Sequence, residues 1–242
     1  MVFFELIWNG IDMKSAMISQ SNYIPWKGYF DSIAMVDVFV VYDDMQYTKR
    51  DWRNRNLIKT PNGLKWISIP IEVKGKFNQK INEAIISDRN WNKEHLNYLK
   101  QNYKKSLYYN EVIDWVEYIY MNCTYKFLSE INLYFIKNFM NYLDIQTQII
   151  DSRNICLTGD KTEKLINICK DIGVNKYFTG SAAKEYLDES LFSNNNIEVN
   201  YFEYSGYKEY PQLYGDFNHN VSILDLIFNC GNNSKNFVKS IQ

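Results

Sequence analysis

Cysteine is scarce and scattered. The chain of 242 residues has 4, at Cys123, Cys156, Cys169 and Cys230, and no two form a CxxC pair. This spacing excludes a zinc-finger or disulfide framework, and the apolar surroundings predict buried free thiols in a reducing compartment. Histidine is scarcer, with only 2, His95 and His219, so no His/Cys metal centre is expected. With 4 prolines and 10 glycines, no Pro/Gly/Ser-rich linker divides the chain, and no internal repeat is visible. Neither sign of charge dominates: 27 Lys and Arg face 28 Asp and Glu, for a formal net charge of -1. Nucleic-acid binders carry a basic excess or stripe, so no nucleic-acid partner is expected. No apolar run reaches the roughly 18 residues of a membrane span. The opening stretch contains Glu5 and lacks a basic leader and a small-residue cleavage site. No signal peptide is therefore read there, residues 1–12 read as an N-terminal extension, and the expected location is cytoplasmic.

Hydrophobic residues are plentiful at 46%, which supports a packed core. Tyr is abundant at 20 residues. Asn, Ile and Lys are abundant with it, as AT-rich coding would give, so aromatic richness alone does not mark a stacking surface.

The hydrophobic pattern predicts a strand over 14–19 that turns at Gln20-Ser21-Asn22. Pro25 suits the first turn of a helix over 26–36. The next strand, 38–42, has no polar residue before Asp43 and reads as buried on both faces, as in a parallel sheet. A polar loop over 43–56 follows, then a strand over 66–71 with Pro70 at an edge or end. Helices are expected over 92–103 and 111–143, the second bent or broken near 122–124. A strand over 146–151 leads to a helix over 160–173, capped by Asp160 or Thr162, with Glu163 in its first turn and Gly173 in the left-handed closing position. Then come a strand over 176–179, a helix over 182–192, a strand over 197–204 and a helix over 222–230. This alternation predicts an α/β fold: a Rossmann-like, mostly parallel sheet built from 13–90 and 144–242, with a helical subdomain over 91–143 inserted or appended. In such sheets ligands bind at the C-terminal ends of the strands.

Two loops then become the leading site. The first follows the first strand and carries Gln20, Asn22, Tyr23 and Trp26 at a helix N-terminus, where free N–H groups favour anions. Gly28 is unexpected inside a helix, and close approach by a ligand or another backbone would explain it. The second loop carries Asp43, Asp44, Gln46, Lys49, Arg50, Arg53, Asn54, Arg55 and Asn56. Arg grips phosphate or carboxylate bidentately, and Asp binds a ribose hydroxyl or Mg²⁺. A surface ion-pair network is the bland alternative. Gly180 and Ser181 lie at another strand-to-helix turn, with an N-cap by Ser181 as the alternative. Tyr210 and Gln212 belong to a further polar segment, in which Ser222 reads as a cap of the last helix. His95 is a candidate general base, although a lone histidine is more often structural. No GxGxxG, Walker A, GxSxG or kinase motif is present.

The stretch SQSNYIPWKGYFDSIAMVDVFVVYDDMQYTKRDWRNRNLIK closely resembles the opening of the WbqC-like family. WISIPI, WNKEHL, YFTGSAAKEYLD and YPQLYGDFNHNVSILDLIFNCG resemble later parts of it. Ser21 stands where the family often has Pro. The resemblance implies a role in bacterial O-antigen and other surface polysaccharides, but no mechanism. A weaker likeness places Trp26-Lys27-Gly28-Tyr29 at the HxGH position of nucleotidyl-transferase-like folds, with both histidines replaced by aromatics.

The expectation is a transferase that adds an acyl or aminoacyl group to a nucleotide-linked amino sugar. Arg50, Arg53 and Arg55 would hold the diphosphate; Asp43, Asp44 or His95 would act as base; Gln20, Asn22 and Gln46 would position the acceptor. No tightly bound cofactor is expected, with ATP/Mg²⁺ or an acyl donor as co-substrate, and a homodimer is an allowed assembly. The alternatives are an ATP-using adenylate-forming ligase and a non-catalytic sugar-nucleotide binding protein.

Overall fold

The computed structural model describes residues 14–241, so the extension read over 1–12 lies outside the described residues. Strand β1 (Ser15–Ser19) leads through α1 (Lys27–Ala34) to β2 (Val38–Val41). A hairpin of β3 (Arg55–Thr60) and β4 (Gly63–Ser68) precedes three helices: α2 (Trp91–Tyr103), α3 (Tyr109–Met121) and α4 (Leu128–Leu143). The chain then alternates through β5 (Gln148–Asp151), α5 (Lys161–Asp171), β6 (Lys176–Thr179), α6 (Glu189–Asn194) and β7 (Glu198–Tyr201), and reaches α7 (Ile223–Cys230).

The main sheet has five strands in the order β5-β2-β1-β6-β7, and each neighbouring pair is parallel. Period-two alternation sorts its side chains. Met17, Phe39 and Val41 enter one core, while Ala16, Ile18, Val38 and Val40 enter the core on the opposite face. The unbroken apolar run of β2 is thus used on both sides, as a central parallel strand requires.

Helices α2, α3 and α4 form an appended subdomain that shares the first core. Leu99, Ile119, Phe135 and Phe139 cluster with Phe30 and Phe39. Burying each such side chain contributes roughly 1.5–3 kcal/mol, which is ample to fix the helices on the sheet. Helices α5 and α6 supply Ile166, Ile168 and Phe192 to the other core. Among the described residues, no helix is long and apolar enough to cross a membrane.

The structure changes several expected elements. The polar loop ends early, because β3 begins at Arg55 and pairs with β4 from Arg55↔Ser68 to Thr60↔Gly63. Its sequence RNLIKT lacks period-two alternation, with polar pairs flanking Leu57-Ile58, and so hides a strand that a cross-strand partner stabilises. The helical run 111–143, by contrast, breaks where expected: α3 ends at Met121 and α4 starts at Leu128. The helix read over 182–192 is a 3₁₀ turn at Ser181–Glu185 followed by α6, because Asp188 accepts from the Ser190 amide at 3.0 Å and starts a new helix. Gly180, not Ser181, holds the N-cap position of that 3₁₀ turn, without a side-chain cap. Cys123, Cys169 and Cys230 are buried, but Cys156 is exposed in the loop after β5.

Candidate functional site

The strand order reverses between β1 and β6. From β1 the chain winds outward through β2 to β5, and from β6 it winds the other way to β7. Loops leaving the carboxyl ends of β1 and β6 therefore diverge and leave a crevice, the usual ligand position in an open α/β sheet. A cleft of about 510 Å³ lies there, bounded by Gln20 after β1, Gly180 after β6, Tyr42, Tyr177 and Tyr186. A second lobe of about 360 Å³ is lined by Asp44, Lys80, Ser152 and Arg153. The lobes share Tyr42, Met45 and Lys164, so they form one continuous groove along the strand ends.

The capping box of α5 sets the cationic wall. The Asp160 carboxylate accepts from the Glu163 amide and the Glu163 carboxylate from the Asp160 amide, both at 2.9 Å. This fixes the first helical turn, and residues three apart then share a face. Lys161 and Lys164 consequently both line the large lobe. Among the described residues neither has an ion-pair partner.

Asp44 is the acidic residue in the lining of the second lobe. Its carboxylate accepts from the Ser152 hydroxyl at 2.9 Å and from Asn82 and Lys80 at 3.3 Å. Its neighbour Asp43 points the other way. That carboxylate is buried and accepts from the Ser21 amide at 2.8 Å, the Ser21 hydroxyl at 2.6 Å and the Ser129 hydroxyl at 2.5 Å. Burial raises its pKa, opposed by these donors. Asp43 is therefore a positioning residue, which ties the turn after β1 to α4.

Arg53 joins the two expected loops. One guanidinium nitrogen donates to the Gln20 side-chain oxygen at 2.8 Å and the other to that of Asn22. Gln20 lines the large lobe, whereas Asn22, Trp26 and Asn56 line a separate small pocket of about 70 Å³. The Asn56 amide is engaged by the carbonyls of Tyr23 and Ile24 at 3.1 and 3.0 Å. Trp26 also explains Gly28, since a Cβ there would overlap the Trp26 ring. The close approach expected of a ligand or another backbone is thus made by a neighbouring indole.

Other expected residues lie away from the groove. Lys49 and Arg50 are exposed, and Arg55 stacks 4.0 Å from the centre of the Trp66 ring. Asn54 donates to the Ile69 carbonyl at 2.8 Å, and Gln46 to the Phe77 carbonyl at 3.0 Å. His95 is buried, with Nδ1 at 2.8 Å from the Tyr23 hydroxyl and Nε2 at 3.2 Å from the Ser68 carbonyl. Burial depresses its pKa to about 4. Tyr210 donates at 2.9 Å to Asp225, and Gln212 accepts at 3.1 Å from Lys59 in the same buried network. Ser222 caps α7 through the Leu224 amide at 3.2 Å.

Sequence reasoning missed Lys80, Ser152, Arg153, Lys161 and Lys164. The rule that ligands sit at strand ends, applied to β5 as well, could have found Ser152 and Arg153. The Lys161/Lys164 spacing was readable within a capped helix, but its facing direction was not.

The model of the WbqC-like protein family matches residues 20–237. The uncharacterized protein Rv1507c of Mycobacterium tuberculosis (strain ATCC 25618 / H37Rv) is 46% identical over 227 residues, covering 94% of this chain and 98% of that protein. No solved structure matches.

Proposed function

The chain belongs to the WbqC-like protein family, and on that premise we propose that it is an enzyme that transfers a group onto a nucleotide-linked sugar. The observation that carries this reading is the two-lobed groove at the strand-order reversal, with Lys161 and Lys164 along its wall. The sheet order supports a Rossmann-like fold, whose reversal point holds nucleotides.

The groove fits an elongated ligand with an aromatic head, an anionic middle and a hydroxylated end. The large lobe offers the exposed ring of Tyr186 to a nucleoside, above a floor to which the buried Tyr42 and Tyr177 contribute. Lys161 and Lys164 match a diphosphate in charge, and Lys164 also borders the second lobe. That lobe takes the sugar, with Asp44 and Ser152 as polar contacts. Asp44 orients a sugar amine and receives its proton while the nitrogen attacks the carbonyl carbon of an acyl thioester or an aminoacyl adenylate; the C–S bond or the carbonyl–O bond to phosphate breaks, and the CoA thiolate or AMP leaves. Arg153 and Lys80 stand near enough to this lobe to meet developing negative charge. Relative to the reading from sequence, the diphosphate contact moves from Arg50, Arg53 and Arg55 to α5, and the base is Asp44 rather than Asp43 or His95.

Thermal shift with UDP-, GDP-, CMP- and dTDP-sugars tests this, because a ligand selective for the folded state raises its apparent stability. One sugar series raises Tm, and mass spectrometry with acyl-CoA or with ATP and amino acids finds the modified sugar. No response to any nucleotide sugar rejects the reading. Pyrophosphate release from ATP and Mg²⁺ without a nucleotide sugar points instead to an adenylate-forming ligase.

A further inference from the structure

Trp52, which precedes Arg53 and lines the small Asn22 pocket rather than the groove, packs against Trp66 with ring centroids 5.0 Å apart and planes at 51°. They nevertheless remain 41% and 38% exposed. Indoles gain much from burial, so a contacting pair left open is the kind of patch that marks a binding surface. The pair is firmly presented. Trp66 lies in β4 opposite Leu57, with the Arg55 guanidinium against its ring. The Trp52 carbonyl accepts from the Tyr23 amide at 3.0 Å.

Beside Trp52 opens the pocket of about 70 Å³, whose polar lining is Asn22, Asn56 and Asn220. Asn56 is already engaged, donating to the Tyr23 and Ile24 carbonyls and accepting from the Leu57 amide. Asn22 uses only its side-chain oxygen, toward Arg53, and the Asn220 side chain has no partner among the described residues. Free amide donors thus border an open indole pair.

We propose that this surface is a subsite for an uncharged saccharide, separate from the nucleotide-sugar groove. A pyranose presents a face of polarised C–H bonds, which suits the negative face of an indole. Its hydroxyls donate and accept, as the amides of Asn22 and Asn220 do. The sugar ring lies on Trp52 and Trp66, and one exocyclic group enters the pocket. The amide border favours a saccharide over a protein partner, whose anchors seat in apolar, desolvated pockets. The subsite adjoins the groove: Arg53 holds Gln20 of the groove with one nitrogen and Asn22 of this pocket with the other.

The test titrates the full chain with N,N′-diacetylchitobiose, maltotriose and methyl α-mannoside, read by tryptophan fluorescence and Tm. At least one probe gives a saturable change, and Trp52→Ala weakens it by about 10-fold or more, the ratio that roughly 1.4 kcal/mol corresponds to. Asn220→Ala, which changes an exposed side chain, weakens it also and leaves Tm unchanged; this variant decides if Trp52→Ala does not fold. The nucleotide-sugar response of both variants stays at the wild-type level. Absence of a saturable response to every probe overturns the proposal, as does a response that neither variant alters. Capture of a protein through this face without any saccharide response overturns it as well. A saccharide response without any nucleotide-sugar response upholds it and rejects the groove reading instead.

Discussion

The Ser152 hydroxyl donates a 2.9 Å hydrogen bond to the Asp44 carboxylate. It joins the loop after β2 to the turn after β5, across the carboxyl edge of neighbouring parallel strands. The bond leaves Asp44 in the lining of the groove, while the adjacent Asp43 is enclosed.

Asp44→Asn keeps the shape of the side chain and removes its charge. Turnover on the nucleotide sugar falls by roughly 10²-fold, the low end of general-base contributions. Stability barely changes, since a half-exposed pair such as Lys80–Asp44 contributes at most about 1 kcal/mol. Mass-spectrometric turnover together with thermal melts checks this, and wild-type turnover rejects Asp44 as the base.

Asp43→Ala has the opposite profile. It leaves Ser21 and Ser129 without their shared buried acceptor. The expected loss is roughly 2–4 kcal/mol, as for breaking a buried charged hydrogen-bond network, and urea unfolding measures it.

Lys164→Ala weakens nucleotide-sugar binding by about 10-fold, the loss of one charge-assisted phosphate contact. Wild-type affinity falls as salt rises, and the variant falls less steeply. Calorimetric titration at low and high salt separates the two slopes. Identical slopes place the diphosphate elsewhere.

His95 makes folding sensitive to acid. Burial holds its pKa at about 4 against an ordinary 6.5, so the unfolded chain binds this proton first. The stability held by neutral His95 is full above 6.5 and is lost as pH falls toward 4. The span corresponds to roughly 3 kcal/mol. Urea unfolding across this window shows the decline, and His95→Gln makes it shallower.

Gly28→Ala lowers Tm although alanine favours helix. The propensity gain is about 1 kcal/mol, but the new methyl runs into the Trp26 ring. Overpacking of this kind costs roughly 1–3 kcal/mol. Shifted tryptophan emission would report the displaced indole.

Elements whose signal is local were readable. The Lys176–Thr179 strand matches its expected bounds, and the α5 capping box and the Ser222 cap lie where their residues indicated. Strand β3 and the broken helix after Ser181 were not, because each depends on a competitor outside a simple periodic pattern: a paired strand for one, the Asp188 cap for the other. The leading loops were found, but their residues divide among the groove, the Asn22 pocket and internal anchors.

By itself, the sequence determined the alternation of strands and helices, since apolar periodicity and caps act within a few neighbouring residues. It also determined the family, through a long motif. Only the tertiary structure decided which of two adjacent aspartates meets solvent and that α5 rather than the arginine-rich loop lines the groove. Those outcomes depend on how segments over 100 residues apart pack together, as Asp44 and Ser152 do, and no local pattern encodes the direction in which a side chain faces once they have met.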